Sequence, residues 1–128
     1  MQKETAKFIS DALAAVGIPY EFEEFNSSIE SLNRYWVGDY SETEPLSEDG
    51  LEETTFILTG YAKEDMLILE NDKQTIKQLF PTISGNRAIL DNGSGVAIFY
   101  ENALPVPTGD DFIKKIQINL IIKEWMVN

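Results

Sequence analysis

Residues 112–127, reading FIKKIQINLIIKEWMV, constrain the fold of this chain more than any other stretch. Ile116, Ile118, Leu120 and Ile122 alternate with polar Lys115, Gln117 and Asn119. That is the period of two of a strand with one face on a core and the other in water. Beyond Leu120 the alternation fails, because Ile121, Trp125 and Val127 make the second face apolar as well. At ~3.3 Å per residue the run spans about 50 Å, against about 17–20 Å for a typical strand. Such a strand either bends at a bulge or carries its end beyond its own sheet to meet another surface. The second option points to a subunit that is packed against.

The preceding chain supplies the partners for such a strand. Phe8, Ile9, Ala12, Leu13 and Val16 form one stripe of a helix that Gly17 stops and Pro19 prevents from continuing. Its polar side carries Lys3, Lys7 and Asp11. Tyr20 and Phe22 alternate with Glu21 and Glu23 as a short edge strand. After a surface connection over Asn26–Asn33 come two strands, RYWVGDYSE from Arg34 and TTFILTGYAK over Thr54–Lys63. Gly38 inside the first marks a bulge or a close backbone approach. Between them Glu42, Glu44, Glu48, Asp49, Glu52 and Glu53 repel one another, so this connection is expected to be long, solvated and mobile. It lacks the spacing of a calcium loop.

Asp65 caps a second helix with an apolar stripe of Met66, Leu69, Ile76, Leu79 and Phe80, closed by Pro81. Glu70 with Lys73, and Asp72 with Lys77, stand at the spacings of surface ion pairs. Asp91-Asn92-Gly93-Ser94 is a hairpin turn between strands Arg87–Leu90 and Gly95–Tyr100. Glu101–Asp111 is expected to be irregular and exposed. The whole reads as one α+β domain over residues 1–128. Two helices pack on one face of a mainly antiparallel sheet, in the order α-β-β-α-β-β with the long acidic loop between the first two main strands.

Composition narrows the function. The chain has neither cysteine nor histidine. This removes disulfides, thiol nucleophiles, Ser-His and Cys-His pairs, and the usual zinc ligands. Any catalysis would rest on carboxylates, Lys or Tyr. The pairs Glu23/Glu24, Glu48/Asp49 and Asp110/Asp111 fall in turns or exposed connections rather than a cleft, so no enzyme, cofactor or metal site is expected. Gly93-Ser94-Gly95 lacks the lysine and the following helix of a phosphate loop. A net charge of −12 opposes binding to nucleic acid or to an anionic membrane surface. No apolar run is long enough to span a bilayer and the start does not read as a signal peptide, so a cytosolic origin is expected. Tryptophan is enriched at interface hot spots. Core packing is favoured for Trp36, and an interface for Trp125.

Several stretches together resemble the tail-completion proteins of long-tailed phages, tail terminators and tail-to-head joining proteins. They are Tyr35-Trp36-Val37-Gly38 with Glu42, Glu48-Asp49-Gly50, Phe56-Ile57-Leu58-Thr59-Gly60, Leu69-Glu70, and Ile116-Gln117-Ile118-Asn119-Leu120 with Glu124-Trp125. The resemblance covers roughly residues 30 to 127 and includes the order of elements. It implies a subunit made in the host cytoplasm that forms a ring, hexameric in that family, at the tail–head junction of the virion. Its partners would be further copies of itself, the tail-tube protein and the head connector or stopper, with DNA only passing through the lumen. Trp36, Glu42, Glu44, Glu48, Asp49, Ile121, Trp125 and Val127 are the candidate interface residues. Two alternatives stay open: a head-side connector or stopper, and an acidic inhibitor that mimics DNA.

Overall fold

The computed structural model describes residues 1–23, 33–42 and 51–125. Glu44, Glu48, Asp49 and Val127, and most of the connection over Asn26–Asn33, lie outside them. The elements are α1 (Lys3–Ala15), β1 (Tyr20–Phe22), β2 (Arg34–Glu42), β3 (Leu51–Lys63), α2 (Met66–Leu79), β4 (Asn86–Ile89), β5 (Gly95–Pro105) and β6 (Ile113–Trp125). They form an α+β fold on a six-stranded sheet of order β1-β2-β3-β6-β5-β4. Every pairing is antiparallel except the parallel β1–β2 edge. Within the described residues the order runs through eight elements rather than the six expected. The short edge strand β1 and a hairpin separate from the last strand account for the difference.

β6 is the long strand of the C-terminal stretch, and it stays within the sheet as far as Trp125, the last described residue. It pairs along its whole length with β3, from Lys63↔Ile113 to Leu51↔Trp125. On its other side it pairs with β5 from Pro105↔Ile116 to Gly95↔Trp125. The bulge lies in the neighbour, between Tyr100 and Asn102 of β5. Two expectations are corrected by this pairing. Glu101–Pro105 is strand rather than irregular, and β3 starts at Leu51 rather than Thr54. Glu52 and Glu53 therefore belong to a strand, while the rest of the expected acidic loop, residues 43–50, lies outside the described residues.

Alternation along each strand sends one set of side chains to the helices. Ile116, Ile118, Leu120 and Ile122 of β6 join Phe56 and Leu58 of β3, Val96 and Ile98 of β5, and Trp36 of β2 in a single buried cluster. Ile9 and Leu13 of α1, and Leu69 and Ile76 of α2 with Phe80 at its end, complete the same cluster. Both helices thus cover one face. Each fully buried aliphatic side chain contributes about 1.5–3 kcal/mol relative to exposure. Val16, counted in the α1 stripe, is instead 41% exposed at the frayed end of the helix. Asp65 caps α2 by accepting a hydrogen bond from the Leu67 amide at 2.8 Å. In the β4–β5 turn the Gly93 amide donates to the Leu90 carbonyl and the Leu90 amide to the Ser94 carbonyl. This is a tight turn followed by a one-residue bulge.

Trp36 is core, which withdraws it as an interface anchor: it is 0% exposed. It lies directly across from Gly60, where an added Cβ would stand 2.7 Å from three atoms of the indole. Gly38 likewise lets Tyr20 and Phe56 close over the backbone of β2. Because the indole is enclosed, Gly60→Ala should lower the unfolding free energy by about 1–3 kcal/mol through overpacking. Urea melts of the two proteins test this. An unchanged midpoint would mean that Trp36 has room to step aside.

Candidate functional site on the open face of the sheet

Two carboxylates buried on the helix side, Asp72 and Glu124, are held by hydrogen bonds, whereas the Tyr20 hydroxyl, Thr54 Oγ1 and Glu124 Oε1 are buried without a hydrogen-bond partner. Asp72 is placed by α2 between Leu69 and Ile76, on the inner side, rather than facing Lys77. Its Oδ2 accepts from Trp36 Nε1 at 2.9 Å and from Arg34 Nε at 2.8 Å. Arg34 also donates to the Gly17 carbonyl at the end of α1, so one carboxylate ties α2, β2 and α1 together. Glu124 follows Ile122 on the inner face of β6 and is 0% exposed. Its Oε2 accepts from Thr5 Oγ1 at 2.5 Å and from the Gln2 amide at 3.1 Å, at the first turn of α1. The α-amino group of Met1 pairs with Glu42 and lies 4.0 Å from Glu124 Oε1. Tyr20 carries a buried hydroxyl with no hydrogen-bond partner. Burial first, and the nearby charge of Glu21 second, push its phenol above the ordinary tyrosine range. Among the described residues no group of acids is placed to hold a metal ion.

The other side of the sheet is different. Among the described residues both helices lie on the opposite side, and the outward residues stand in cross-strand rows. Ile89, Gly95, Trp125 and Leu51 are successive partners across β4, β5, β6 and β3. Gly95 leaves a notch beside the Trp125 ring, 3.7 Å from where a Cβ would stand. Ile89 is 76% exposed and Trp125 40%. A shallow groove of about 480 Å³ runs over this row. The next row places Arg87, Ala97, Lys123 and Glu53 side by side. The third carries Phe99, Ile121 and Thr55. Arg87 and Lys123 both stand over the Phe99 ring at 5.7 Å, and Lys115 stands over Tyr61 at 5.4 Å. The ring quadrupole holds each cation on the face; Arg87 Nε also donates to the Ser84 carbonyl at 3.0 Å, and Lys123 stands across from Glu53. Arg87, Lys123 and Glu53 thus make a charged row of both signs beside the apolar one.

Compared with protein-family models and with curated proteins, the chain finds no match in either.

Of the candidate interface residues, the fold brings Ile121 and Trp125 together on the open face, in rows two apart. Glu42 faces the helix side, at the far end of β2, where it pairs with the Met1 amine. Ile89, Arg87, Phe99, Lys123 and Leu51 also build the open face but escape a reading of single segments. Each is ordinary in its own strand, and only the cross-strand register collects them. Among the described residues no helix is long and apolar enough to cross a membrane.

Two outcomes follow from the buried groups. Thr5→Val, which keeps the shape but removes the donor to Glu124, should cost about 1–3 kcal/mol in a denaturant melt. The Tyr20 phenol ionises near pH 10 in the unfolded chain and at a higher pH when folded. The stability it contributes is therefore complete below about pH 10 and lost as the pH rises through the folded value. In an alkaline titration Tyr20 should ionise only as the protein unfolds. Ionisation of Tyr20 in the folded state near pH 10 would contradict the burial.

Proposed function

We propose that this chain is a structural subunit that assembles with copies of itself into a ring, hexameric by the resemblance, on the end of a phage tail tube. There it caps the tube and offers a docking surface to the head connector or stopper. The subunit is made in the host cytoplasm and ends at the tail–head junction. The single observation that carries the need for a partner is the open face, where Trp125, Ile89, Ile121 and Phe99 form an apolar area crossed by the charged row of Arg87, Lys123 and Glu53. Exposed apolar area of this kind on a small domain marks an interaction surface. The place in the virion rests on the resemblance carried by Tyr35-Trp36-Val37-Gly38, Phe56–Gly60 and Ile116–Leu120. The chain's acidity suits a lumen through which DNA passes, since phosphates are repelled from an acidic wall. The cations held over rings on the open face give no support to the reading as an acidic mimic of DNA.

Trp125→Ala separates a packing role from a docking role. Because the ring is 40% exposed on the uncovered side, the isolated subunit should lose no more than about 1 kcal/mol. Joining of tails to heads should fail, since a buried tryptophan anchor carries about 2 kcal/mol or more of binding energy. Thermal melting of the purified variant, beside a complementation assay for infectious particles, reads both. A loss of about 3–5 kcal/mol would identify Trp125 as core. Normal particle yield from the variant would end the docking role.

A further inference from the structure

We infer that the free edge of β4 takes up an extended segment of a partner protein, apolar with flanking lysine or arginine, as one more strand of the sheet. This goes beyond the proposed ring and does not depend on it. β4 is the last strand on its side of the sheet. Its phase is set by the Leu90 amide, which donates to the Ser94 carbonyl at the turn into β5. In an antiparallel ladder, hydrogen-bonded and non-bonded pairs alternate. Ala88, two residues back and opposite Val96, therefore bonds to β5. The N–H and C=O groups of Arg87 and Ile89 point the other way, and no strand among the described residues lies there to pair with them. Beyond β4 the edge of β5 is closed, since the Tyr100 amide donates to the Phe80 carbonyl. What stays open is short. Its four residues limit open-ended stacking but can hold one segment.

Strand addition takes its affinity from main-chain bonds and its selectivity from pockets for alternate side chains. Such a pocket lies beside this edge. A groove of about 180 Å³ runs between α1 and β4, lined by Phe8, Ala88 and Leu90 together with Glu4 and Asp91. Phe8 and Ala88 are only partly covered by the core they pack on, so an apolar side chain from an added strand would complete their burial. On the open side of the sheet the same strand would cover Ile89, which is 76% exposed. Charge selects the occupant. Lys7 in this groove is already paired with Asp11 at 3.1 Å. Glu4 and Asp91 have no counter-ion among the described residues. A basic residue on each side of the apolar one supplies what they lack. A second copy would not. Its β4 arrives with its own Glu4 and Asp91, and its other edge strand, Tyr20–Phe22, contains Glu21 and is followed by Glu23. Carboxylates would then face carboxylates, so the added strand comes from a different protein.

The probe is the peptide KTVTVTK, blocked at both ends and added to the isotope-labelled full chain. When it is extended, its valines and lysines share one face. Amide hydrogen exchange read by NMR should slow about tenfold at Arg87 and Ile89, and less elsewhere. The same peptide with glutamate in place of lysine should bind about tenfold more weakly. Ile89→Pro removes the outward N–H, a change an edge strand tolerates, and should weaken binding about tenfold with a melt close to wild type. A fully N-methylated peptide, which leaves the protein untouched, should lose binding to the same extent. Glu4→Lys combined with Asp91→Lys should reverse the order of the basic and acidic peptides. If the basic peptide protects neither Arg87 nor Ile89, strand addition is wrong. Equal binding of the acidic peptide to the wild type would overturn the charge selection. Protection of these two amides that rises with the concentration of the chain alone would identify a second copy as the occupant and overturn the foreign one.

Discussion

The burial of Ile116, Ile118, Leu120 and Ile122 from a strand paired on both sides sets the rest of the molecule. A central strand has all its backbone groups in ladders and can donate its whole inner row to the core. β6 does this between β3 and β5, and the two neighbours are long because β6 is long. The pairing carries Leu51 to Trp125 and Pro105 to Ile116, through sequences that by themselves are poor strand formers. Acidic Glu52 and Glu53, and the stretch around Pro105, are drawn into strands by the hydrogen-bonding partner that β6 presents. The bulge at Tyr100/Asn102 then absorbs the curvature that a sheet with strands of this length must develop.

The helices are fixed by two carboxylates in addition to apolar packing. Leu69, Asp72 and Ile76 lie along the inner side of α2, and a carboxylate there is tolerated because Trp36 and Arg34 both donate to it. Glu124 does the same for α1 from the end of β6. Removing a donor from either would leave a buried charge short of hydrogen bonds, which costs more than the bond itself returns. Directional bonds of this kind fix helix rotation in a way that aliphatic contacts do not. Both anchors lie on the covered side. The open side is free of them and carries cations over aromatic rings instead.

What the sequence made legible follows the range of each signal. The inner row of β6, the Asp65 cap, the Glu70–Lys73 ion pair at 2.6 Å and the Asp91–Ser94 turn all depend on residues a few positions apart. The α+β class follows from them. The inward turn of Asp72 was present as a signal, since positions 69, 72 and 76 share a helical face. It was overruled by the surface pairing of a charged residue with Lys77. Glu124 was present too, in register with Ile122. The extensions of β3 and β5 left no local trace, because their cause is a partner strand far along the chain. The open face was half legible. Ile121 and Trp125 stand out within β6, whereas Ile89, Arg87 and Phe99 acquire meaning only through the register of four strands.

The separation of these two faces bears on how an acidic ring would assemble. Subunits at −12 repel one another through solvent over about a Debye length, ~8 Å at physiological salt. Docking through the apolar side chains of the open face would act at van der Waals distance. Long-range repulsion and short-range attraction of this kind keep free subunits apart until something holds them close. A tail-tube end that presents several binding positions at once supplies that proximity as an effective concentration, without any change in the contact itself. The open face can thus be apolar enough to dock and still be safe on a free subunit. For a ring subunit of the kind proposed, the charge of the chain would then be a timing device as well as a lining for the lumen, delaying ring closure until a tube is there to be capped.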